Sequence, residues 1–85
     1  MYYVYALQTL KDKNWLYVGY TTNLKERFTK HTKGEAISTK KYLPLRLVYY
    51  EAYLNKTDAA KREYELKHNS QQKEILKDKI KYSLA

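Results

Sequence analysis

Residues 16–31 read LYVGYTTNLKERFTKH, and this stretch decides the fold because it contains the passage from a strand to a helix. Its beginning belongs to the aromatic and apolar run over 15–20, WLYVGY, which is typical of a β-strand. Residues 2–8, YYVYALQ, have the same character, and the residues between the two runs are mostly polar. We therefore expect the two runs to form a β-hairpin.

The second half of the quoted stretch predicts a helix with a defined start and end. Asn23 is a preferred N-cap residue, and Glu26 three positions later completes a capping-box pattern. Leu24 and Phe28, four residues apart, give the helix an apolar stripe that can face a core. Gly34 is typical of the position that follows a helix, so we expect the helix to end just before it.

The rest of the chain predicts one further strand and two further helices. The expected segments are a basic loop over 34–43 that Pro44 ends, a strand over 45–54, a helix that Asn55 or Thr57 caps and that ends near Asn69, and a last helix capped by Ser70. In the last helix, Ile75, Leu76 and Ile80 are expected to face inward. The order ββαβαα predicts an α/β (α+β) fold, a three-stranded antiparallel sheet flanked by helices.

Composition limits the classes of partner. The 85 residues suffice for one small domain, which we expect to span 1–85. Lys and Arg number 17 against 9 Asp and Glu, which gives a net charge of +8 and favours a polyanionic partner. Nucleic acid is the first candidate and an anionic membrane surface is the second. A basic surface that is only solvated is the plainer alternative.

The sequence has no feature of membrane insertion or secretion. No apolar run approaches the roughly 18 to 20 residues that span a bilayer. The first residues, MYYVYAL, lack the charged and long apolar regions of a signal peptide. The absence of cysteine excludes disulfides and thiolate-bound zinc and is compatible with a reducing compartment. We therefore expect a cytoplasmic protein without a membrane partner.

Side-chain alternation in the hairpin bears on two tyrosines. If the turn has about five residues, Thr9 lies opposite Trp15, and Tyr5, Tyr17 and Gly19 share one face of the sheet. A six-residue turn would send Tyr17 to the other face. A glycine on the shared face leaves a gap where another group can approach the backbone. The two tyrosines are either core residues or site residues, and the alternation does not decide between them.

Three charged or titratable residues on the predicted helices could form a site with these tyrosines. Arg27 and His31 lie one turn apart, where a cation can meet a phosphate and an imidazole can move protons, although both could simply be solvated. Glu63 falls on the inward stripe of its helix, where a lone carboxylate needs a partner. That partner is either Lys67, one turn later, or a divalent cation such as Mg²⁺.

Taken together, the motifs resemble the GIY-YIG nuclease family, in particular its small stand-alone members. The name motifs are represented by Tyr3-Val4-Tyr5 and Tyr17-Val18-Gly19, although Tyr3 stands where the first motif has glycine. The run TTNLKERFTKH is similar to the family's helix with its arginine and histidine, and STKKYLPLRLVYYEAY to its loop and third strand. The segment DAAKREYELK is similar to the helix that carries the family's glutamate, here Glu63.

The resemblance implies a metal-dependent DNA endonuclease that hydrolyses phosphodiester bonds, in DNA repair or recombination. Glu63 would bind one Mg²⁺ or Mn²⁺ ion, and Arg27 would stabilise charge that develops on the phosphate. Tyr5, with a pKa lowered by nearby positive charge, would help to deprotonate the attacking water. Tyr17 would orient the water or the phosphate, and His31 would relay the proton or share the role of base.

The resemblance also implies a DNA-binding surface, formed by Thr39, Lys40, Lys41 and Lys67, that contacts the phosphate backbone without reading sequence. Two alternatives remain beside the endonuclease. One is a nucleic-acid-binding domain that keeps the fold but not the turnover. The other is a structural domain that binds a partner protein through its aromatic sheet.

Overall fold

The computed structural model describes residues 1–85 and has the predicted element order ββαβαα. Its elements are strand β1 (Tyr2–Thr9), strand β2 (Asp12–Thr21), helix α1 (Leu24–Thr32), a short 3-10 helix (Lys40–Tyr42), strand β3 (Leu45–Tyr53), helix α2 (Lys56–His68) and helix α3 (Ser70–Lys79). The predicted α+β class is therefore confirmed. None of the helices has the length and apolar character needed to cross a membrane.

The three strands form one antiparallel sheet in the order β2-β1-β3. The first strand of the chain is therefore the central strand of the sheet. Its last six residues are all buried, because helices cover both faces of the sheet at this point. This burial explains why the first strand reads as a nearly continuous apolar and aromatic run.

The hairpin has the register that a five-residue turn predicts along most of its length. Tyr5 pairs with Gly19 and Leu7 pairs with Tyr17, so Tyr5, Tyr17 and Gly19 share one face as expected. The end of the hairpin was predicted wrongly. The register shifts after Gln8, and Thr9 pairs with Asp12 rather than with Trp15, so β2 begins three residues earlier than expected.

Each face of the sheet carries its own apolar cluster. Helices α2 and α3 cover one face, where the buried residues are Val4, Val18, Ala59, Leu66, Leu76 and Ile80. Helix α1 covers the other face, where Leu24 and Phe28 pack against a cluster that includes Tyr5 and Leu7. The predicted stripe of α1 is thus confirmed. Removing one such side chain from water stabilises the fold by roughly 1.5–3 kcal/mol.

Helix ends agree with the predicted caps in two of three cases. Asn23 accepts a hydrogen bond from the backbone N–H of Glu26, and Asn55 caps α2. Helix α3 differs, because Asn69 is its N-cap and Ser70 is its first residue. Ile75 does not face inward as expected but is 52% exposed, whereas Leu76 and Ile80 are buried.

Candidate active site

Tyr5 lies at the centre of the candidate site, and Gly19 makes room for it. The tyrosine is 1% exposed, and its ring lies directly over the backbone of its cross-strand partner Gly19. A Cβ atom at Gly19 would lie 2.3 Å from the phenolic oxygen of Tyr5. The gap that the sequence predicted at Gly19 is therefore filled by the Tyr5 ring, and any side chain at this position would force the ring to move.

Tyr17 and Arg27 lie beside Tyr5 on the face covered by α1. The ring centroids of Tyr5 and Tyr17 are 6.5 Å apart. The pKa of Arg27 is raised, chiefly by hydrogen bonding to Tyr5 and also by the neighbouring Tyr17. The prediction that both tyrosines lie on one face of the sheet is confirmed, and the influence of both on the pKa of Arg27 is consistent with its place beside them.

His31 is completely buried and bonded through both ring nitrogens. Its Nε2 atom lies 2.8 Å from the Tyr5 oxygen, and its Nδ1 atom lies 2.6 Å from Oγ1 of Thr39. Burial lowers the pKa of His31 below its usual 6.5, and the charge of Arg27 lowers it further. The imidazole is therefore neutral at pH 7 and carries a single N–H.

Thr39 holds His31 at the Nδ1 side of the ring. The Thr39 side chain is completely buried, and its hydroxyl bonds only to His31. The neutral ring donates through one nitrogen and accepts through the other, so the hydroxyls of Thr39 and Tyr5 together hold the imidazole from both sides. Thr39 therefore orients His31. The prediction that it contacts a DNA backbone is wrong, because a fully buried side chain cannot reach one.

Tyr5 keeps its proton in the free protein. Burial raises the pKa of Tyr5 above 10.0 and outweighs the hydrogen bond and positive charge of Arg27, which lower it. The charges of Tyr17 and Glu63 raise it further. The expectation of a lowered pKa was therefore wrong, since the nearby cation was predicted but the extent of burial was not.

Glu63 lies at the margin of the apolar stripe of α2 rather than at its centre. Ala59 and Leu66 are the buried residues of this helix, and the Glu63 side chain is 28% exposed. Its carboxylate is 3.3 Å from Nζ of Lys67. The same Nζ atom lies 5.5 Å from the ring centroid of Tyr17. Lys67 is therefore the ion-pair partner of Glu63, one of the two partners that the sequence predicted, and it lies close to Tyr17 in the candidate site.

Helix α2 reaches both edges of the sheet. On one flank Lys67 lies over Tyr17 of β2, and on the other flank Nε of Arg62 donates to both carboxylate oxygens of Glu51 of β3, at 3.1 and 3.0 Å. Glu51 also accepts hydrogen bonds from Tyr49 and Tyr53. Both tyrosine pKa values are raised to about 12, first by burial and then by this carboxylate. These contacts fix the rotation of α2, and with it the position of Glu63.

The single carboxylate of Glu63 suits one hard divalent cation whose other ligands come from water and from a substrate phosphate. No group of three or more His, Cys, Asp or Glu side chains in residues 1–85 is arranged to hold a metal ion. Mg²⁺ accepts a single carboxylate when water and phosphate oxygens complete its shell. The Glu63–Lys67 pair is partly exposed, and such pairs contribute only about 0–1 kcal/mol, so Lys67 can yield to a cation.

The remaining predicted DNA contacts lie at the surface. Lys40 and Lys41 are exposed on the 3-10 helix, next to the loop position that holds Thr39. A small cavity of about 170 Å³ adjoins Arg27 and includes Thr21, Asn23 and Lys30 in its lining. The assignment of these lysines to DNA contacts stays a prediction.

Comparison with known proteins agrees with this fold and site. A model described as the GIY-YIG catalytic domain matches residues 1–76. The chain therefore belongs to the GIY-YIG family, whose domain is of the nuclease type. More particularly, its relatives include a UPF0213 protein of Staphylococcus haemolyticus, 43% identical over 75 residues that cover 87% of this chain and 89% of the relative.

Two further proteins extend this comparison. A UPF0213 protein of Staphylococcus saprophyticus is 40% identical over 75 residues, with 87% of this chain and 89% of the relative covered. The solution NMR structure of the UPF0213 protein BH0048 from Bacillus halodurans is similar with a TM-score of 0.59 and 34% identity. That likeness covers 99% of this chain and 93% of the other.

Proposed function

We propose that the chain is a metal-dependent DNA endonuclease, with residues 1–85 as one nuclease domain that acts in the cytoplasm in DNA repair or recombination. One observation carries the proposal. The oxygen of Tyr5 lies 2.8 Å from Nε2 of the neutral His31, and the charges of both Arg27 and Glu63 act on the pKa of Tyr5. A base, a cation and a carboxylate are thereby brought to one partly open site.

Arg27 supplies the fixed positive charge of the proposed site. Its pKa is raised by the neighbouring Tyr5 and Tyr17, and it lines the small surface cavity, where it can face a phosphate. A guanidinium placed where negative charge develops stabilises a phosphoryl transition state more than the ground state. Arg27 is therefore proposed to act on the rate more than on affinity.

Tyr5 is the proposed base toward the attacking water. Because Tyr5 is protonated in the free protein, its proton would pass to Nε2 of His31, 2.8 Å away, in the tautomer whose N–H is on Nδ1, and the phenolate would then accept the proton of the water. The positive charge of Arg27 favours this ionisation, whereas burial and the charge of Glu63 oppose it. A divalent cation bound to Glu63 would polarise the scissile phosphate and the leaving oxygen. Neutralising the Glu63 charge would also remove one of the causes that raise the pKa of Tyr5. His31 holds the Tyr5 oxygen in place, and Tyr17 orients the water or phosphate.

A nucleic-acid-binding domain without turnover is the second candidate. The observation that favours it is the Glu63–Lys67 ion pair, which satisfies the carboxylate without a metal ion. In that case Lys67 and Arg27 would serve as phosphate contacts, and binding would fall steeply with salt while no strand is cut.

Cleavage of a panel of plasmid, flap and branched DNA substrates tests the proposal. With Mg²⁺ or Mn²⁺ we expect cuts that EDTA abolishes and that Glu63→Gln lowers by at least about 10²-fold. Glu65→Gln is the matched control, since Glu65 lies on the same helix and is also paired, with Arg62. DNA binding without any cut, or equal loss in both variants, would favour the second candidate.

Metal binding can be measured apart from turnover. Titration of Mn²⁺ should broaden NMR signals near Glu63 in the wild type and in Glu65→Gln, but not in Glu63→Gln. Equal broadening in all three proteins would contradict the assignment of Glu63 as the ligand.

A further inference from the structure

An aromatic groove opens on the face of the sheet that α1 covers. It has a volume of about 480 Å³, which falls within the range of small-ligand sites. We call it the aromatic groove, and its principal lining residues are Tyr3, Leu24, Lys25, Phe28, Leu47 and Tyr50. Three of the six side chains are aromatic, and none of the residues has a role in the proposed chemistry.

The groove is continuous with the candidate active site. Tyr50 is the cross-strand partner of Tyr5 on β3, and Tyr3 precedes Tyr5 by two residues, so all three side chains share one face. The ring of Tyr5 leans toward β2, over Gly19, and therefore does not cover the ring of Tyr50 on β3. The groove also shares Asn23 with the lining of the cavity at Arg27, so a nucleic acid whose phosphate lies at Arg27 would bring its adjacent sugar and base toward the groove.

The sheet side of the groove offers aromatic ring surface. Tyr50 is 55% exposed although it lies in the sheet, and it meets Tyr3 edge to face at a centroid distance of 6.1 Å. One face of the Tyr50 ring is thus available for stacking. Lys25 is exposed at the rim, where it can neutralise a phosphate.

We propose that the aromatic groove binds one unpaired nucleobase of the nucleic acid held at the active site. This inference rests on the proposed function and narrows its substrate to strands with single-stranded character. A base in a duplex is covered on both faces by its neighbours, so only an unpaired base can stack on Tyr50. Stacking on aromatic side chains is tolerant of sequence, and the polar residues of the lining, Thr22, Asn23 and Lys25, all lie at the start of α1 rather than beside Tyr50 on the sheet.

Binding of short single-stranded DNA in EDTA, where no metal supports cleavage, tests this inference. The probes are six-nucleotide strands that carry 2-aminopurine at each position in turn, because its fluorescence is quenched by stacking. We expect quenching at one or two positions with the wild type. Tyr50→Ala should abolish the quenching and weaken binding by about 10-fold, the effect of losing one stacked base. Tyr50→Phe keeps the ring and should behave as the wild type.

Tyr82→Ala is the matched control, because Tyr82 is a tyrosine with 86% exposure that lies outside the groove. It should leave quenching and affinity unchanged. Circular dichroism of all variants establishes that each is folded. The preference for a single strand over a blunt duplex of the same sequence should also shrink in Tyr50→Ala alone.

The two proposals fail in distinguishable ways. If Tyr50→Ala binds and quenches as the wild type does while the wild type cuts DNA, the groove is not a base site and the nuclease proposal stands. If quenching depends on Tyr50 but no substrate is cut with Mg²⁺ or Mn²⁺, the groove inference stands and the nuclease proposal falls.

Discussion

Substitution of Gly19 by alanine should disable the site through a single steric contact. The added Cβ atom would lie 2.3 Å from the Tyr5 oxygen and 2.4 Å from Cζ, where ordinary contacts begin at 3.4 Å. The end of the ring must therefore move by about 1 Å. A shift of that size away from Gly19 can break the 2.8 Å hydrogen bond to His31.

The expected loss of stability follows from the same contacts. Overfilling a packed core costs typically about 1–3 kcal/mol. A buried donor or acceptor left without a partner costs a further 1–3 kcal/mol or so, and Tyr5 and His31 are both buried. We therefore expect Gly19→Ala to lower the free energy of unfolding by about 2–6 kcal/mol. For a chain of this size, the lower end of that range is a decrease in Tm of roughly 8–16 °C.

A double-mutant cycle with Tyr5→Leu isolates the contact. Leucine lacks the atoms that Gly19→Ala would strike, so in the Tyr5→Leu background the alanine should be neutral or stabilising by up to about 1 kcal/mol. Urea denaturation followed by circular dichroism gives all four free energies. An equal loss from Gly19→Ala in both backgrounds would refute the steric reasoning.

Three further predictions concern charged and titratable residues. Arg27→Ala should lower the single-turnover cleavage rate by roughly 10²-fold with a smaller effect on DNA affinity. Lys40→Ala should instead weaken DNA binding and reduce the slope of log affinity against log salt concentration by about one. If both variants lose only affinity, Arg27 is a binding residue. The pKa of His31 in the folded protein lies below 6.5, so as the pH falls the imidazole is protonated first in the unfolded chain. The free energy of unfolding should therefore decrease below about pH 6.5, by at most about 1.4 kcal/mol per pH unit. Denaturation at several pH values should show this slope between pH 6.5 and 5 in the wild type but not in His31→Gln, and an unchanged slope would contradict the buried neutral imidazole. Lys67→Met should raise the affinity of Glu63 for Mn²⁺ by up to about 5-fold, because an exposed ion pair contributes about 1 kcal/mol at most. Calorimetry measures this affinity, and weaker Mn²⁺ binding would show that Lys67 instead positions the carboxylate for the metal ion.

The hairpin shows what the sequence could predict. Alternation along a strand is fixed by backbone geometry, so one choice of register placed Tyr5, Tyr17 and Gly19 together. Helix spacing likewise placed Arg27 and His31 on one side of α1. The strand ends were less predictable, because the shift after Gln8 depends on local turn geometry.

Burial accounts for most of what the sequence did not predict. Thr39 lies in a loop without periodicity, and no signal at that position distinguishes a buried partner of His31 from a surface hydroxyl. The pKa of Tyr5 depends on competition between burial and Arg27, and only the packed structure gives the balance. Ile75 and Leu76 are equally apolar neighbours on α3, and the start of the helix at Asn69 decides which one turns inward.

The attachment of α2 to both edges of the sheet bears on which changes in chain length the protein can accept. One residue inserted or deleted between Asn55 and Glu63 would rotate the following part of α2 by about 100°, which turns Glu63 and carries Lys67 away from the ring of Tyr17. The same change would carry Arg62 away from Glu51. The segment 51–67 can therefore diverge by substitution but not by insertion. The loop after Gly34 can change length more freely, provided that Thr39 keeps its hydrogen bond to His31.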